Sequence, residues 1–404
     1  VSASLSLELD AVSRIFPLRG NPYVLEHLID WDAVPDDPMF RLIFPHPDML
    51  PEEHLARLCD AIRKELPAEE MAILVREIRL ALNPHPAHQT TLNIPRVAGS
   101  SLEGIQHKYN ETVLFFPRQG QTCHAYCTYC FRWAQFVDLP EFKMASNEVA
   151  TLVGYLEEHP EVTDVLITGG DPLLMRTKLL RRYIEPLLDV DSVTNVRIGS
   201  KALSFWPGRF VTDEDADDLL DLFGDVIEAG KHLALMAHIT HPREISTVQA
   251  RQAIERVRAT GAVIRSQAPL VRHINDSAEV WAEMWREQVK HGIIPYYMFI
   301  PRNTGARHHF EVPLVLAHRI YSGAISRVSG LARTARGPVM STSPGKVIID
   351  GPAKVAGQNV LALRFLQARD PAHVNRPFFA RYDEAATWLD ELEPAGEQRF
   401  FFEK

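Results

Sequence analysis

Three cysteines lie close together in the segment CHAYCTYC, at Cys123, Cys127 and Cys130. The chain has one further cysteine, Cys59, far upstream, so this segment offers three protein ligands and no obvious fourth. A structural zinc site and a ferredoxin-type cluster each take four protein ligands. Three thiolates on a cube of four irons would instead leave one iron open to another molecule. One alternative is a zinc site with His124 or a distant histidine as the fourth ligand, and another is a set of plain buried thiols. A structural disulfide is less favoured, because it would leave one of the three thiols unpaired.

An aromatic residue, Tyr129, stands directly before the third cysteine. The spacing CxxxCxxC with an aromatic residue at that place resembles the signature of the radical S-adenosylmethionine (SAM) enzymes, whose open iron is chelated by the amino and carboxylate groups of SAM. The resemblance implies a [4Fe-4S] cluster held by Cys123, Cys127 and Cys130. It also implies that Tyr129 lies against the adenine of SAM.

A second motif that could bind a ligand is TGGDP, with Gly169, Gly170 and Asp171 at its centre. Two glycines let the backbone approach a ligand closely, and a carboxylate accepts hydrogen bonds from an ammonium group. Because it follows the cysteine segment at residues 168–172, the motif resembles the radical SAM motif that holds the amino group of the methionine part of SAM. The alternative is a strand-to-helix turn in which Asp171 is the cap.

Short β-branched runs alternate with helical stretches from about residue 110 onward. Repeated strand-helix units indicate a parallel sheet built of βαβ crossovers. About six units favour an α/β architecture, a partial (βα)6 TIM-like barrel, with its chemistry at the C-terminal ends of the strands. The predicted strands cover residues 112–116, 165–168, 194–198, 233–238, 263–266 and 296–299, and the predicted helices cover residues 146–158, 179–188, 213–229, 247–260 and 277–291.

Polar side chains stand at consecutive ends of these predicted strands. The cysteine segment follows the first strand and TGGDP ends the second, while the next three lead to Ser200, His238 and Gln267. Any one of these residues alone would more often be a capping residue. Around one barrel mouth they are expected to line a common pocket, and the radical SAM resemblance places them beside SAM.

The regions before and after this core have different patterns. Residues 1–104 predict an N-terminal helical accessory domain, in which a helical stretch is interrupted at Pro67. Residues 105–330 form the predicted barrel core. Residues 331–404 are expected to form a C-terminal extension with a helix over 383–392 and with subunit contacts in a homo-oligomer.

The composition limits the classes of function. The chain has 404 residues and a formal net charge of -9 without a basic tract, which argues against nucleic acid as the main partner. No segment resembles a signal peptide or approaches the length of a membrane span. These features, together with cysteines suited to a reduced state, predict a cytoplasmic protein that acts on a small molecule without a membrane partner.

Several motifs between about residues 105 and 350 occur in an order that resembles the lysine 2,3-aminomutase family. They are the cysteine segment, TGGDP, VRIGS, the segment 238–244, Gln267 followed by Arg272 and IND, and the run PYY at 295–297. The resemblance implies that a flavodoxin- or ferredoxin-type donor reduces the cluster and that SAM is cleaved to methionine and a 5′-deoxyadenosyl radical. The radical then takes a hydrogen atom from the substrate carbon next to the carbon that bears the amine.

In this family, pyridoxal 5′-phosphate (PLP) holds the substrate amine and carries it to the neighbouring carbon. The resemblance implies that Arg132 meets the SAM carboxylate. It assigns PLP contacts to Lys108, Tyr109 and Tyr297, and the covalent PLP attachment to Lys346. Lys346 follows a segment with one glycine, TSPG, where the family has a glycine-rich loop, so a solvated loop lysine is the alternative.

Three departures from the family bear on cofactor and substrate. Thr112 stands where the family has an arginine that resembles a PLP phosphate contact, which weakens the phosphate site. The two aspartates that bind the distal ammonium of lysine are replaced by Arg302 and by Thr342 or Ser343. An arginine repels a cationic side chain and offers a fork of donors to a carboxylate. No cysteine follows the triplet, so the C-terminal zinc site of many family members is absent.

These departures favour a PLP-dependent 2,3-aminomutase whose substrate is an acidic or neutral amino acid rather than lysine, bound by Arg302 and Asn303. The alternative for Arg302 is an ion pair turned away from the site. A second hypothesis is a PLP-independent radical SAM enzyme that catalyses elimination, epimerisation or dehydrogenation on the same scaffold. A third is a non-catalytic zinc-binding or scaffold protein, which would contain no iron.

Overall fold

The computed structural model describes residues 3–83, 92–97, 99–137, 139 and 143–403. The chain begins with five helices, and asparagine or aspartate caps α2 and α3 ahead of a proline in the first turn. Pro67 separates α4 from α5, as predicted, because proline tolerates the first turn of a helix but not its interior. The helices are α1 (Ala3–Ile15), α2 (Pro22–His27), α3 (Pro38–Ile43), α4 (Glu52–Arg63) and α5 (Ala68–Leu82).

A short two-stranded sheet and a large sheet follow. The large sheet contains eleven of the described strands, and their order across the sheet is their order along the chain. The strands are β1 (Arg96–Val97) and β2 (Ser100–Ser101) in the short sheet, then β3 (Ile105–Tyr109), β4 (Thr112–Phe115), β5 (Asp164–Ile167), β6 (Asn195–Ser200), β7 (His232–His238), β8 (Val263–Pro269), β9 (Ile294–Phe299), β10 (Arg336–Ser341), β11 (Gly345–Val355), β12 (Gln358–Ala368) and β13 (Pro377–Arg381).

Strands β4 to β10 run parallel, and helices connect them. Strand β3 pairs antiparallel with β4 at one edge, and β11, β12 and β13 extend the other edge antiparallel. Sequential order with helical crossovers is the arrangement of a partial (βα)6 barrel, so the predicted fold class is confirmed. The connecting helices are α6 (Val149–Glu158), α7 (Thr177–Leu188), α8 (Ala202–Phe205), α9 (Ala216–Glu228), α10 (Val248–Ala259), α11 (Ala278–Lys290), α12 (Arg307–Phe310) and α13 (Leu314–Ile325).

Alternation along the strands separates the helix-facing side of the sheet from its inner side. In β6, Val196 and Ile198 are fully buried in the main core together with Leu180 and Ile184 of α7. Arg197 lies between them in sequence and therefore projects to the opposite face. The inner face of the sheet thus carries polar and charged residues, while the outer face is covered by helices.

One predicted element is wrong. Within residues 383–392 the structure has a single short turn of helix, Leu389–Glu391, instead of a helix. The backbone amide of Thr387 donates to the Glu391 side chain at 2.7 Å, and Trp388 is extended, so the chain cannot close the preceding helical turn. The apolar spacing that suggested a helix instead places Trp388 and Leu389 in the main core.

The helices of the N-terminal region and the cysteine segment share a second core. Ile15, Leu42 and Leu58 are fully buried there with Trp133, which follows the cysteines. The N-terminal region therefore packs against the segment that carries the predicted cluster ligands. None of the helices in the described residues is long and apolar enough to cross a membrane.

Candidate active site

The cysteine segment lies at the C-terminal end of β4 and is held by hydrogen bonds from the N-terminal region. The amides of Tyr126 and Thr128 donate to the carbonyls of Arg19 and Leu42 at 3.0 and 2.9 Å. The Arg19 guanidinium in turn donates to the carbonyl of Cys123 at 3.0 Å. These bonds fix a segment that has no helix or strand of its own.

The three thiols are free and half-buried. Burial raises the pKa of each, to about 12 for Cys127, and for Cys123 the nearby Asp171 and the other two thiols raise it further. The effect of Cys127 and Cys130 on the pKa of Cys123 is consistent with three neighbouring sulfurs. In the described residues no group of three metal-ligating side chains converges on a single ion. A cube of four irons does not require such convergence, because each thiolate binds a different iron.

The two glycines of TGGDP approach the protein's own backbone. A Cβ atom on Gly170 would lie 2.5 Å from the Thr122 nitrogen, directly before the first cysteine, and the backbone of Gly169 has a φ of +155°. The amide of Asp171 donates to the Thr122 carbonyl at 2.7 Å. The glycines therefore let the end of β5 contact the start of the cysteine segment, while their contact with SAM stays a prediction.

Asp171 has several donors within the protein. Its carboxylate accepts from the amide of Leu173 at 3.0 Å, from the Ser200 hydroxyl at 2.8 Å and from the Lys201 amide at 2.9 Å. It is thus the cap of the turn after β5, as the alternative interpretation expected, and it also ties the end of β5 to the end of β6. This arrangement places Asp171 and Ser200 together beside Cys123.

His238 and Gln267 meet at the ends of β7 and β8. The amide nitrogen of Gln267 lies 3.0 Å from His238 Nε2. Burial lowers the pKa of His238 to about 3, with Lys201 and Arg132 as further causes, so the imidazole is neutral and accepts this bond. The Tyr129 hydroxyl is 2.7 Å from the Thr240 hydroxyl, which brings the aromatic residue of the cysteine segment to the same mouth.

Two arginines lie near the ring of Phe131, between the cysteine segment and the end of β10. The guanidinium of Arg132 is 5.3 Å from the ring centroid, and that of Arg302 is 4.7 Å from it. Arg302 donates to the Ser341 hydroxyl at 3.2 Å, and no carboxylate among the described residues pairs with it. The ion pair considered as the alternative for Arg302 is therefore not formed within the described part of the chain.

Lys346 lies on β11 with its ammonium between two aromatic contacts. The Nζ atom donates to Gln367 at 2.6 Å and lies 5.2 and 5.0 Å from the ring centroids of Tyr109 and Tyr297. Burial lowers the pKa of Lys346 to about 7, and Arg197 and other arginines lower it further. Lys346 is therefore a half-buried strand residue and not the solvated loop lysine of the alternative.

Lys108 also lies near the ring of Tyr109. Its ammonium donates to the carbonyl of Thr342 and is 5.4 Å from the Tyr109 ring. Burial lowers the pKa of Lys108 to about 6, with Arg302, Arg369 and Lys346 as further causes. The structure thus brings all four predicted PLP residues into one group, together with the predicted substrate residue Arg302.

No model of a known protein family matches the chain. A protein of Aquifex aeolicus named "Putative L-lysine 2,3-aminomutase" is 30% identical over 384 residues, which are 95% of this chain and 90% of that protein. The chain belongs to the lysine 2,3-aminomutase family of radical SAM enzymes. The L-lysine 2,3-aminomutases of Clostridium subterminale and Fusobacterium nucleatum are 28% and 29% identical over 245 and 233 residues. These two matches span 54% and 52% of the relatives' own lengths, about half of each.

Two solved structures are similar at low identity. A radical SAM methyltransferase from Sphaerobacter thermophilus has a TM-score of 0.41 and 14% identity over 73% of this chain and 90% of that chain. SuiB of Streptococcus suis, bound to its precursor peptide SuiA, has a TM-score of 0.39 and 11% identity over 68% and 58%. Because both TM-scores are below 0.5, the fold assignment rests on the strand order of the chain itself.

Membership of the lysine 2,3-aminomutase family implies a [4Fe-4S] cluster and SAM. Polar atoms near the cysteine segment fit such ligands, because several of them are buried without a partner among the described residues. They are Arg132 Nη1, Arg302 Nη1 and Asn303 Oδ1. Buried polar groups are normally hydrogen-bonded, so an unpartnered guanidinium nitrogen has a donor left for an anionic group such as a carboxylate.

Several charged or polar residues of the site were not predicted from the sequence. Lys201 directly follows Ser200 and forms a buried ion pair with Glu244, while it also donates to the carbonyl of His238 at 3.1 Å. The position of Lys201 just after a predicted strand could have identified it from the sequence. Arg336 and Gln367 were missed because no strands were predicted within residues 331–404. Without strands, the sequence did not indicate which side chains point toward the inside of the barrel.

Proposed function

We propose that this member of the family is a PLP-dependent 2,3-aminomutase that acts on an amino acid with an acidic or neutral side chain. The observation that carries the proposal is the half-buried Arg302 beside the cysteine segment, whose Nη1 atom is buried and which has no carboxylate partner among the described residues. It lies in the same group of side chains as Lys346 and Tyr109. An unpaired guanidinium at this place suits the carboxylate of a substrate and repels the ammonium of lysine.

The charges around Tyr109 support this choice of substrate. Arg302, Arg369 and Lys346 all act on the pKa of Lys108, and burial of these cations in one group is unfavourable unless an anion joins them. The acidic residue that acts on Lys346, Asp164, is already paired with Arg197 at 2.7 Å. The Arg302 guanidinium therefore has no counter-charge among the described residues, and a dianionic ligand would balance it and favour the protonated forms of Lys108 and Lys346.

Lys346 is suited to covalent attachment of PLP because its pKa of about 7 leaves a large fraction of the amine neutral near physiological pH. PLP, when bound, supplies the electron-accepting group through which the amine migrates. The rings of Tyr109 and Tyr297 both lie near the amine, with centroids 5.2 and 5.0 Å from Nζ. Gln367 orients it through the hydrogen bond to Nζ.

The cysteine segment is suited to hold the cluster, with Arg132 and the ends of β5 to β8 around the open side. Arg132 lies 4.4 Å from the ring of Phe116, and burial lowers its pKa to about 10, so it stays charged near neutral pH. We infer that it receives the carboxylate of SAM. A flavodoxin- or ferredoxin-type protein is the expected source of the electron.

A second candidate function is PLP-independent radical chemistry on the same scaffold. It is favoured by the turn between β10 and β11, where the Thr342 hydroxyl and amide both donate to the Gly345 carbonyl, at 2.8 and 2.9 Å. This tight turn occupies the place of the family's glycine-rich loop. In addition, Lys108 and Lys346 each have a hydrogen-bond acceptor within the protein.

The proposal is tested by incubating the reconstituted protein with SAM, reductant and single amino acids under anaerobic conditions. L-glutamate, L-aspartate, L-glutamine, L-alanine and L-lysine form the panel, and mass spectrometry measures β-amino acid and 5′-deoxyadenosine. Arg302→Gln should lower turnover of the preferred acidic or neutral substrate by roughly tenfold or more, as expected for loss of a charged hydrogen bond. Lys354→Met, an exposed residue on β11, is the control.

Preference for L-lysine in the wild-type protein, or unchanged turnover in Arg302→Gln, would contradict the substrate assignment. Formation of 5′-deoxyadenosine with a substrate but no β-amino acid would instead favour the second candidate function.

A further inference from the structure

Two arginines on the inner face of the sheet have aromatic contacts but no ion pair. Arg265 on β8 lies 5.4 Å from the ring centroid of Tyr296, and Arg336 on β10 lies 4.5 Å from the same centroid. Arg336 is also 4.3 Å from the ring centroid of Tyr297. Among the described residues, no carboxylate and no side-chain hydrogen-bond acceptor pairs with either guanidinium. Both are half-buried, so an anion that enters the barrel can reach them.

These guanidiniums belong to the same group of charges as Lys346. The Lys346 ammonium lies 5.0 Å from the Tyr297 ring that Arg336 also contacts. Arg197 is a third arginine near Lys346. It already forms an ion pair with Asp164, so Asp164 does not serve as the counter-charge of Arg265 or Arg336. Half-buried cations without counter-charges are unfavourable, and an anion bound between them removes that penalty.

The two ends of β10 separate this pair from Arg302. Arg336 begins β10 and Ser341 ends it, and five steps of about 3.3 Å place their backbones roughly 16 Å apart. Arg302 binds Ser341, at the end near the cysteine segment. Lys346 is in register with Ser341, yet its ammonium reaches the ring of Tyr297, the residue in register with Arg336. A ligand attached to Lys346 therefore has one cationic site toward the cluster and another on the opposite side.

The position of Thr112 points to the ligand group on that opposite side. Thr112 stands where the family has an arginine that resembles a phosphate contact, and it is in register with Asp164, which binds Arg197. The retained cation of that region, Lys108, already donates to the Thr342 carbonyl. A phosphate carried by PLP thus needs other donors in this layer, and a guanidinium fork suits phosphate geometry.

We propose that Arg265 and Arg336 bind the phosphate group of PLP, in place of the arginine that is missing at Thr112. This inference rests on the proposed function, since it requires that the protein binds PLP. It assigns opposite sides of Lys346 to the two anions: Arg265 and Arg336 take the cofactor phosphate, while Arg302 takes the substrate carboxylate near the cluster.

The test compares PLP with pyridoxal, which has the same aldehyde but no phosphate, by absorbance titration of the anaerobic full-length protein. Arg336→Gln and Arg265→Gln should each weaken PLP binding by roughly tenfold or more and change pyridoxal binding by less than about twofold. Inorganic phosphate should compete with PLP in the wild-type protein and compete less well in both variants. Arg182→Gln, an exposed residue on α7, is the control and should bind PLP normally.

Equal weakening of PLP and pyridoxal would overturn the inference, because the arginines would then act on Lys346 or on folding. Unchanged PLP binding in both variants would also overturn it but would leave the proposed function standing. A wild-type protein that binds no PLP would overturn both.

Discussion

At the scale of single residues, the half-buried amine of Lys346 links the proposed chemistry to stability. Its pKa falls from an ordinary value of 10.5 to about 7 because it is buried among arginines. Between these two values the unfolded chain carries the proton and the folded protein does not. More protons on the unfolded state mean that this residue's contribution to stability rises with pH from about 7 toward 10.5.

Lys346→Met should therefore stabilise the PLP-free protein at pH 7, by on the order of 2 to 4 kcal/mol at about 1.4 kcal/mol per pKa unit. The advantage should shrink as the pH rises toward 10, because removing the proton from this lysine on folding then costs less free energy. Urea unfolding midpoints at pH 7, 8 and 9 measure the difference. A stability difference between the two proteins that does not change with pH would show that the pKa of Lys346 is not lowered in the folded protein.

At the scale of elements, the strand ends are fastened to the cysteine segment through backbone contacts. The end of β5 reaches residues 120–122, because Gly170 has no side chain to keep the two segments apart. Asp171 then joins the end of β5 to β6 through Ser200. The position of the three cysteines thus depends on a turn that contains none of them.

Gly170→Ala should lower the iron and sulfide retained after anaerobic reconstitution by several-fold, because the new Cβ would collide with the backbone of Thr122. Gly154→Ala on α6 is the matched control, since a Cβ there meets nothing within 4 Å and alanine favours a helix. Equal iron content in both variants would mean that the β5 turn does not position the cysteines.

The sequence was informative about elements wherever the pattern was local. Strands β4 to β9 and the helices between them follow the periodicity of short runs, and the structure agrees with the predictions within a few residues. β11 and β12 were missed because Gly351 and Pro352 interrupt the first of them and because their stability comes from pairing with each other. The helix predicted over 383–392 failed since tertiary packing of Trp388 outweighed local spacing.

The candidate site was predictable in part for the same reason. Cys123, Cys127 and Cys130 form a motif within one segment, and their identification needed no tertiary structure. The inward orientation of Arg265 and Arg336 depends on register across neighbouring strands, which no single stretch of sequence encodes. Arg302 was identified because it stands where the family has an aspartate. That it has no carboxylate partner among the described residues became known only from the structure.

At the scale of the whole molecule, the N-terminal region is attached to the segment that follows β7. Arg243, which follows β7, forms an ion pair with the fully buried Asp37 and donates to the Leu28 carbonyl at 3.1 Å. The Tyr23 hydroxyl is 2.7 Å from that of Thr247, at the start of α10. The same region holds the cysteine segment, so its attachment and the integrity of the cluster should be linked.

Arg243→Met should destabilise the protein by about 3 to 5 kcal/mol, because it leaves the carboxylate of Asp37 buried without its partner. The exposed pair of Arg381 and Glu393 provides the control, and Arg381→Met should cost about 0 to 1 kcal/mol. Urea unfolding of both variants gives the comparison. Similar losses for the two would show that the Asp37 pair does not anchor the N-terminal region.

The central claim, a radical SAM enzyme with PLP attached to Lys346, is tested most directly by an anaerobic ultraviolet-visible spectrum. Reconstituted wild-type protein and Lys346→Ala are compared, with iron, sulfide and PLP quantified in each. We predict broad iron-sulfur absorbance in both proteins and a band of lysine-bound PLP that is lost in the variant. Cluster absorbance without that band in the wild-type protein would contradict the PLP assignment, and absence of iron after reconstitution would contradict the cluster itself.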